Sequence, residues 1–304
     1  MIDCYIYGAG NMYNRLRCII KQITEINIIG VITSEATNYE LIDGYKRYDL
    51  RNVDFGEADY VIIAVEFWPE IANVLKEHNV EEEKILLWRA FFNPDFDIQD
   101  YLKLKKSNPT IISNTCLAGR IYKELGLKML TPTINAGCLS DRDYLQFMKN
   151  LKNYAKGEMK PLREKEVYYN PNTYNREFFM ASGVLCEECK WLFPHDDIQV
   201  AIDNWNRRKC RINYRNISYL MIISSDEGAR EFDKFDVERK IGFYYKDLGL
   251  KNVIYTPDWN NPEIRRKYDY NYVIYVHRYA TNAESISRIN WVKFLGNRDD
   301  YLRW

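Results

Sequence analysis

Apolar strand-like runs alternate with amphipathic helical segments over the first hundred residues, and this rhythm constrains the fold more than any other feature. The run ADYVIIAV at 58–65 is apolar on both faces, as are strands of a parallel sheet that helices cover on both sides. The segment NMYNRLRCIIKQI at 11–23 places Leu16, Ile19 and Ile20 at helical spacing. The alternation predicts right-handed crossovers and a Rossmann-like parallel sheet.

The pattern changes after Trp88, where RAFFNPDFDIQDYLKLKKSNP carries two prolines and a run of charged residues. We therefore predict two domains, which fits a chain of 304 residues: a Rossmann-like domain at 1–106 and a second domain at 107–304. The second domain is also α/β, but its elements are less regular, and we expect a mixed sheet. Its strands are expected at 110–113, 128–131, 166–169, 217–224, 252–256 and 272–276.

Charge and composition exclude several classes of protein. The 43 basic residues balance the 43 acidic ones, whereas a nucleic-acid binder usually shows a basic excess. No apolar run reaches the roughly 18 residues of a membrane span, and the first residues lack the pattern of a signal peptide. The cysteine count of seven fits reduced thiols, so we expect a cytoplasmic location. A homo-oligomer, or a structural role through a tyrosine-rich surface, stays open.

The turn GAGNMY holds part of the dinucleotide fingerprint between a strand and a helix. Gly8 and Gly10 match its first two glycines, but Tyr13 stands at the third, where glycine lets the helix approach the strand closely. We expect Tyr13 to push the helix away or to point outward. Glu35 is the candidate for holding a ribose. The pattern predicts weak or absent NAD(P) binding and leaves any other cofactor of Gly8, Gly10 and Glu35 unknown.

The CEEC stretch has part of the pattern of a metal-binding site. Cys186 and Cys189 have the spacing of a metal knuckle, with His195 and Cys210 nearby in sequence. Structural zinc sites usually combine two closely spaced pairs, and only one is present. We predict no metal site.

The stretch IISNTCLAG leads from a strand into a helix and allows two interpretations. In the first, Ser113 and Asn114 belong to a ligand-cradling loop in which Gly119 permits close approach, since ligands of α/β sheets bind beyond the carboxyl ends of strands. In the second, Cys116 is a nucleophile, because a position near a helix start favours the thiolate, and His195 would be its partner. The loop interpretation is the one we favour.

Two further segments carry candidate residues. In WNRRKCRIN, Arg207, Arg208 and Arg211 crowd one side of a helix, which favours either a bound phosphate or a solvated helix end. Asp226 follows a buried strand in ISYLMIISSDEGA, so Asp226 and His195 are acid–base candidates. We hypothesise that the SNTCLAG loop and the three arginines line one anion-binding cleft.

Residues 110–300 resemble a bacterial domain of unknown function that is often labelled exopolysaccharide biosynthesis protein. The motifs that carry the resemblance are a Ser-Asn-x-Cys loop, a Pro-Thr-Ile-Asn turn, a Trp-x-Arg-Arg helix followed by Arg-Ile-Asn, and an Asp-x-Gly loop, at 113–116, 132–135, 205–213 and 226–228. The first hundred residues are similar to Rossmann-like N-terminal domains of sugar acyltransferases.

The resemblance implies a transferase or accessory enzyme of surface polysaccharide biosynthesis. Its ligand would be a sugar, a nucleotide sugar or a sugar phosphate, which Ser113, Asn114 and Asn135 would hydrogen-bond while the arginines hold phosphate. The alternative is a non-catalytic regulator that binds a nucleotide or a glycan, so whether the protein is an enzyme stays open.

Overall fold

The computed structural model divides into two compact units. It describes residues 1–34, 40–138, 140–161, 166–168, 178–185, 189–193, 197–281 and 289–302. Unit 1 comprises Met1–Lys106, Lys123–Leu127 and Ala283–Trp304, and unit 2 comprises Ser107–Tyr122 and Lys128–Asn282. Both units are therefore assembled from segments that are separated in sequence. The domain limits that we inferred from the sequence stay a prediction.

Unit 1 contains the Rossmann-like sheet, and the predicted fold class is confirmed. Six strands lie in the order β3-β4-β2-β1-β5-β6, and every neighbouring pair is parallel except β3 with β4. The strands are β1 (Ile2–Tyr7), β2 (Ile26–Thr33), β3 (Leu41–Ile42), β4 (Tyr45–Asp49), β5 (Tyr60–Ile63) and β6 (Ile85–Leu87). The helices are α1 (Asn11–Ile20), α2 (Trp68–Glu77) and α3 (Ile98–Ser107).

The centre of this sheet is buried on both faces, as its apolar strands require. Val61, Ile62 and Ile63 of β5 are at most 2% exposed. Strand β1 pairs with β2 on one side and β5 on the other, so the strand order reverses at β1. The crevice between β1 and β5 is the place where an open α/β sheet usually binds a ligand.

Unit 2 places parallel and antiparallel strands in separate sheets. A parallel sheet has the order β15-β14-β13-β7, while an antiparallel sheet has the order β10-β11-β12-β8, with β9 also paired to β11. The strands are β7 (Thr110–Ser113), β8 (Gly137–Cys138), β9 (Met159–Pro161), β10 (Glu166–Tyr168), β11 (Phe178–Leu185), β12 (Cys189–Phe193), β13 (Ile217–Ile222), β14 (Lys240–Tyr244) and β15 (Val253–Tyr255).

Eight further α-helices lie in the described chain, and the last of them, α11, belongs to unit 1. They are α4 (Leu117–Leu125), α5 (Asp141–Lys149), α6 (Leu151–Lys156), α7 (Ile198–Lys209), α8 (Asp226–Lys234), α9 (Pro262–Lys267), α10 (Tyr272–Thr281) and α11 (Trp291–Leu295). Ser140 caps α5, because its side chain accepts a hydrogen bond from the Asp143 N–H.

Two predicted strands of unit 2 are wrong. Residues 128–131 form no strand, although Leu130 lies beside β7, where its carbonyl accepts a hydrogen bond from the Thr110 hydroxyl at 3.1 Å. Residues 272–276 belong to α10. A short apolar run rich in aromatic and β-branched residues suits either a strand or a buried helix, so periodicity alone misassigned it.

Aromatic side chains fill the core of unit 2 and orient the helix that bears the arginines. Phe147 packs against Trp191 and Trp205, with ring centroids 4.9 and 6.1 Å apart. Trp205 is fully buried, as is Ala201 one turn earlier. Because Ala201 and Trp205 turn one face of α7 into the core, Arg207 lies on the opposite, exposed side, whereas Arg208, three positions after Trp205, lies beside the buried face and is half-buried.

Candidate functional site

Arg207 and Arg208 lie in the last turn of α7, whereas Arg211, which we predicted on the same side of a helix, lies in the turn that follows Lys209. We call these three residues the arginine cluster. The guanidinium of Arg208 donates a hydrogen bond to the Ile134 carbonyl at 2.8 Å, and Arg208 is half-buried. Arg207 donates to the Asn204 side-chain oxygen at 2.7 Å. Arg207 and Arg211 are exposed. The cluster therefore has one member anchored in the fold and two that face solvent.

The arginine cluster has no carboxylate partner among the residues that the structure describes. Burial lowers the pKa of Arg208, and the nearby charges of Arg207 and Arg211 lower it further. Each of these effects disfavours the charged guanidinium, and none is offset by an acidic side chain in the described chain. Such a group of cations is stabilised when an anion binds.

Segment 130–136 brings the arginine cluster towards the end of β7. Its Thr133 hydroxyl accepts a hydrogen bond from the Ser113 N–H at 3.3 Å. Ile134, which follows, lies so that its Cγ2 would be 3.7 Å from a Cβ added at Gly119. Asn135 is exposed, with a left-handed φ of 52° that asparagine tolerates well. Arg208, Asn135 and Gly119 are thus grouped around Ile134.

Gly119 lies inside helix α4 rather than in the loop where we expected it. A Cβ at this position would make only ordinary contact with Ile134. No contact with the part of the chain that the structure describes requires a glycine here, and a close approach by a ligand stays a prediction.

Ser113 and Asn114 use their polar groups within the fold. The Asn114 amide donates to the Ile222 carbonyl and its oxygen accepts from the Ile222 N–H, both at 2.9 Å. The Ser113 hydroxyl accepts from the Thr115 N–H at 3.2 Å. Both side chains are at most 5% exposed. Asn114 therefore joins the ends of β7 and β13, and ligand binding by either residue stays a prediction.

His277 of α10 is a buried histidine that contacts Thr115, the residue after Asn114. We did not identify it as a candidate from the sequence. Nε2 of His277 lies 3.0 Å from the Thr115 hydroxyl, and His277 is 6% exposed. Burial, with a smaller effect from Arg120, lowers the pKa of His277 to about 3, so the imidazole is neutral near pH 7. The two residues of the pair are 162 positions apart, so no local pattern could reveal it.

The state of Cys116 disfavours its role as a nucleophile. Desolvation raises the pKa of the Cys116 thiol above its ordinary value, and Arg120 opposes the rise only in part. A thiol rather than a thiolate is therefore present near neutral pH. Its expected partner His195 lies outside the described residues.

Asp226, the other acid–base candidate, is held in an ion pair. It accepts hydrogen bonds from the Lys246 ammonium at 2.7 Å and from the Tyr244 hydroxyl at 2.5 Å. The bond from Lys246, followed by that from Tyr244, lowers the pKa of Asp226. The carboxylate is therefore ionised and its basicity is reduced, which suits it poorly to general acid–base work.

Asp141 fills the position where an anion would bind at the start of α8, and sequence reasoning missed it. Its carboxylate accepts from the Ser224 N–H at 3.1 Å, from the Ser225 N–H at 3.0 Å and from the Ser225 hydroxyl at 2.8 Å. A Cβ added at Gly228 would lie 2.2 Å from the Asp141 Oδ2. The protein thus supplies its own anion here, and Gly228 makes room for it.

The Gly8–Gly10 turn of unit 1, which holds part of the dinucleotide fingerprint, differs between its two glycines. Gly8 has φ +104°, and a Cβ there would lie 2.7 Å from Val65 Cγ1, so the turn requires glycine. Gly10 caps α1, and no atom of the described residues lies within 4 Å of a Cβ built on it. Tyr13 is 2% exposed and packs inward, contrary to the outward orientation that we considered. Glu35 lies outside the described residues, and the NAD(P) prediction stays a prediction.

Within the described chain, no group of three or more His, Cys, Asp and Glu side chains could hold a metal ion. Cys189 is buried, and its thiol donates to the Asp143 carbonyl at 3.2 Å. Cys186 and His195 fall outside the described residues. Nor does any described helix combine the length and apolar character needed to cross a bilayer.

Two solved structures share limited similarity with the chain. An engineered D-amino acid dehydrogenase bound to NADP+ is 19% identical with a TM-score of 0.23, over 28% of this chain and 26% of that one. A meso-dapdh mutant with DAP from Clostridium tetani E88 is 10% identical with a TM-score of 0.24, over 76% of this chain and 74% of that one. The chain thus spans about a quarter of the first structure's length. No curated protein matches the chain.

Two family matches cover most of the sequence. Residues 2–86 match the family described as C2185-like, N-terminal. Residues 87–295 match the domain of unknown function DUF1919, which confirms the resemblance to such a domain but brings neither the exopolysaccharide label nor a similarity to acyltransferases. Because the second match spans more than half of the chain, the protein belongs to the DUF1919 family.

Proposed function

We propose that the protein binds a sugar phosphate or a nucleotide sugar at the arginine cluster and serves as a transferase or accessory enzyme in bacterial surface polysaccharide biosynthesis. One observation carries the proposal: three neighbouring guanidinium groups have no carboxylate partner in the described chain. The polysaccharide context rests on the sequence resemblance.

Phosphate is the anion that suits this cluster best. The planar guanidinium fork donates two parallel hydrogen bonds to a phosphate, and each charge-assisted bond contributes about 1.5–3 kcal/mol. A bound dianion would also offset the repulsion that lowers the pKa of Arg208. The exposed amide of Asn135, next to the residue that anchors Arg208, is suited to hydrogen bonds with sugar hydroxyl groups.

A non-catalytic binding protein is the second candidate function, and the state of the acid–base candidates favours it. Asp226 is held by Lys246 and Tyr244, and Cys116 is a thiol near neutral pH. A regulator that senses a phosphorylated sugar needs the arginine cluster but no general base. Both functions place the protein in the cytoplasm, where such precursors are available.

Titration calorimetry with glucose 1-phosphate, UDP-glucose and glucose tests the proposal. We expect both phosphorylated compounds to bind, and glucose not to bind, because the phosphate supplies the counter-charge. Arg211→Ala should weaken binding about tenfold or more, since one charge-assisted hydrogen bond is lost. Raising the salt concentration should weaken it further.

Arg215→Ala is the matched control. Arg215 is exposed and lies four residues beyond Arg211, and its backbone N–H, which the substitution keeps, donates to the Asn213 side chain. Equal loss of affinity in both variants, or no binding of either phosphorylated compound to the wild type, would refute the arginine cluster as a phosphate site. Binding without turnover in the presence of sugar acceptors would favour the regulator over the transferase.

A further inference from the structure

Unit 1 contains a cavity of about 280 Å³ at the edge of its sheet opposite the Gly8–Gly10 turn. Asp59 and Tyr60 line it at the start of β5, and Lys84 lines it just before β6. The third wall is the last turn of α3, with Lys105. Its volume is near the lower end of the roughly 300–1,000 Å³ of small-molecule sites, so it has room for a compact ligand.

Lys105 is held rigidly in the wall of this cavity. Its Nζ donates hydrogen bonds to the Ile85 carbonyl at 2.9 Å and to the Gly126 carbonyl at 3.2 Å. Tyr101 and Leu104 of the same helix are almost completely buried and fix α3 in place. The amine nitrogen therefore occupies a defined position, which a flexible surface lysine does not.

The partners of Lys105 match a neutral amine. An ammonium group has three N–H donors, whereas a neutral amine has two N–H donors and one lone pair. The two carbonyls satisfy two donors, and the described residues provide no third acceptor and no carboxylate in an ion pair with Lys105. The remaining position on the nitrogen can therefore hold a lone pair without losing a hydrogen bond to the described protein.

We propose that Lys105 is a reactive amine that captures small aldehydes in this cavity as an imine. The nitrogen lone pair attacks the carbonyl carbon, and the carbonyl π electrons move to the oxygen. The two N–H protons pass to that oxygen, with the Glu83 carboxylate in the cavity wall as a carrier. Water then leaves, so one aldehyde and one amine become one imine and one water, with no oxidant or reductant consumed.

Burial of the amine supports this reactivity, and the acidic side chains around it oppose it in part. Burial lowers the pKa of Lys105 to about 8, Lys76 lowers it slightly, and Glu82 and Glu83 oppose the shift. The other charged groups of the cavity wall are Asp59, Glu81, Lys84 and Lys106, which balance one another in sign. At pH 7 about a tenth of the Lys105 side chains are then neutral, against less than about a thousandth of ordinary lysines.

Competition between lysines of the intact protein tests the proposal. Glycolaldehyde with cyanoborohydride at pH 7 reduces each imine to a stable adduct, which mass spectrometry assigns to individual residues. We expect Lys105 to react about tenfold faster than Lys103, an exposed lysine of the same helix that pairs with Asp100 at 3.8 Å. This tenfold difference in rate is smaller than the difference in the fraction of neutral amine. The reason is that a less basic amine is intrinsically a slower nucleophile, as is known for thiols.

The pH dependence and one variant complete the test. The rate at Lys105 should level off above about pH 8, where most of its amine is neutral, whereas the rate at an ordinary lysine should keep rising almost tenfold per pH unit. Lys105→Arg keeps a donor for the two carbonyls but stays charged, so it should remove this adduct and leave the rate at Lys103 unchanged. A rate at Lys105 equal to or below that of Lys103 would overturn the proposal, since the buried amine would then be structural only.

Discussion

At the carboxyl edge of each parallel sheet a strand leads into a helix, and the two units differ in which groups lie at the start of that helix. In unit 1, β1 leads through Gly8 and Gly10 into α1, and none of the described atoms lies within 4 Å of a Cβ built on Gly10. In unit 2, β13 leads into α8 through Ser225, and the carboxylate of Asp141 occupies the start of that helix. The two joints have the same strand–turn–helix topology, but among the described residues only the joint of unit 2 has a carboxylate bound at its helix start.

This difference shows that topology does not decide whether such an edge binds a ligand. The N–H groups at a helix start favour an anion, and either a ligand or the protein can supply it. Asp141 is 83 residues away from Ser224 in sequence, so the SSDEG turn by itself looks like a ligand loop. In unit 2 three neighbouring guanidinium groups without a described carboxylate partner lie together at the arginine cluster.

Among the substitutions that test this difference, replacing Asp141 should change the free energy of unfolding most. Asp141→Ala leaves the Ser224 and Ser225 N–H groups without their acceptor, so we expect the free energy of unfolding to fall by about 3 kcal/mol. Urea unfolding measures the loss. Asp143→Ala, in the same first turn of α5, is the matched control and should change it by less than about 1 kcal/mol.

Phosphate should partly rescue the Asp141→Ala variant. With the carboxylate gone, the start of α8 resembles the open start of α1 and can take an anion from solution. We expect added phosphate to raise the melting temperature of the variant more than that of the wild type. An unaltered stability of the variant would show that Asp141 does not fill this position in solution.

Two glycine substitutions test the same difference between the two helix starts, with smaller expected changes in stability. Gly228→Ala should destabilise the protein by about 2 kcal/mol, because its Cβ would meet the pinned Asp141 carboxylate at 2.2 Å. Gly10→Ala should change the free energy of unfolding by less than about 0.5 kcal/mol, because the lost cap preference and the reduced entropy of the unfolded chain oppose each other. Thermal or urea unfolding distinguishes them, and similar values would contradict the difference between the two edges.

The pH dependence of His277 tests whether the edge of unit 2 is sealed from water. The unfolded chain binds a proton below a pKa of about 6.5, while the folded imidazole does so only near pH 3. The contribution of neutral His277 to the stability of the folded protein is therefore complete above pH 6.5, and it is lost as the pH falls towards 3. At pH 5.5 the loss should be about 1.4 kcal/mol, and His277→Gln should remove that part of the slope. A wild type and a variant with equal pH slopes between 7.5 and 5.5 would show that the edge is hydrated.

Local patterns account for much of the fold of unit 1 and for part of the candidate site. The apolar run at 58–65 contains the buried strand β5, and the helical spacing before Ile20 marks α1. The crowding of like charges in WNRRKCRIN also indicated the arginine cluster, because the repulsion between charges a few positions apart depends on local spacing. The aromatic run at 272–276 was misassigned because a short apolar segment satisfies a strand and a helix equally well.

The sequence by itself determined the α/β class, the parallel sheet of unit 1 and the presence of the arginine cluster, since each follows from periodicity or charge within a short segment. Only the tertiary structure decided that Asp141 fills the start of α8, that Asn114 joins two strands and that His277 is held neutral. The physical reason is that hydrogen bonding and desolvation depend on which residues meet in space, and these partners are separated by 84, 108 and 162 positions along the chain.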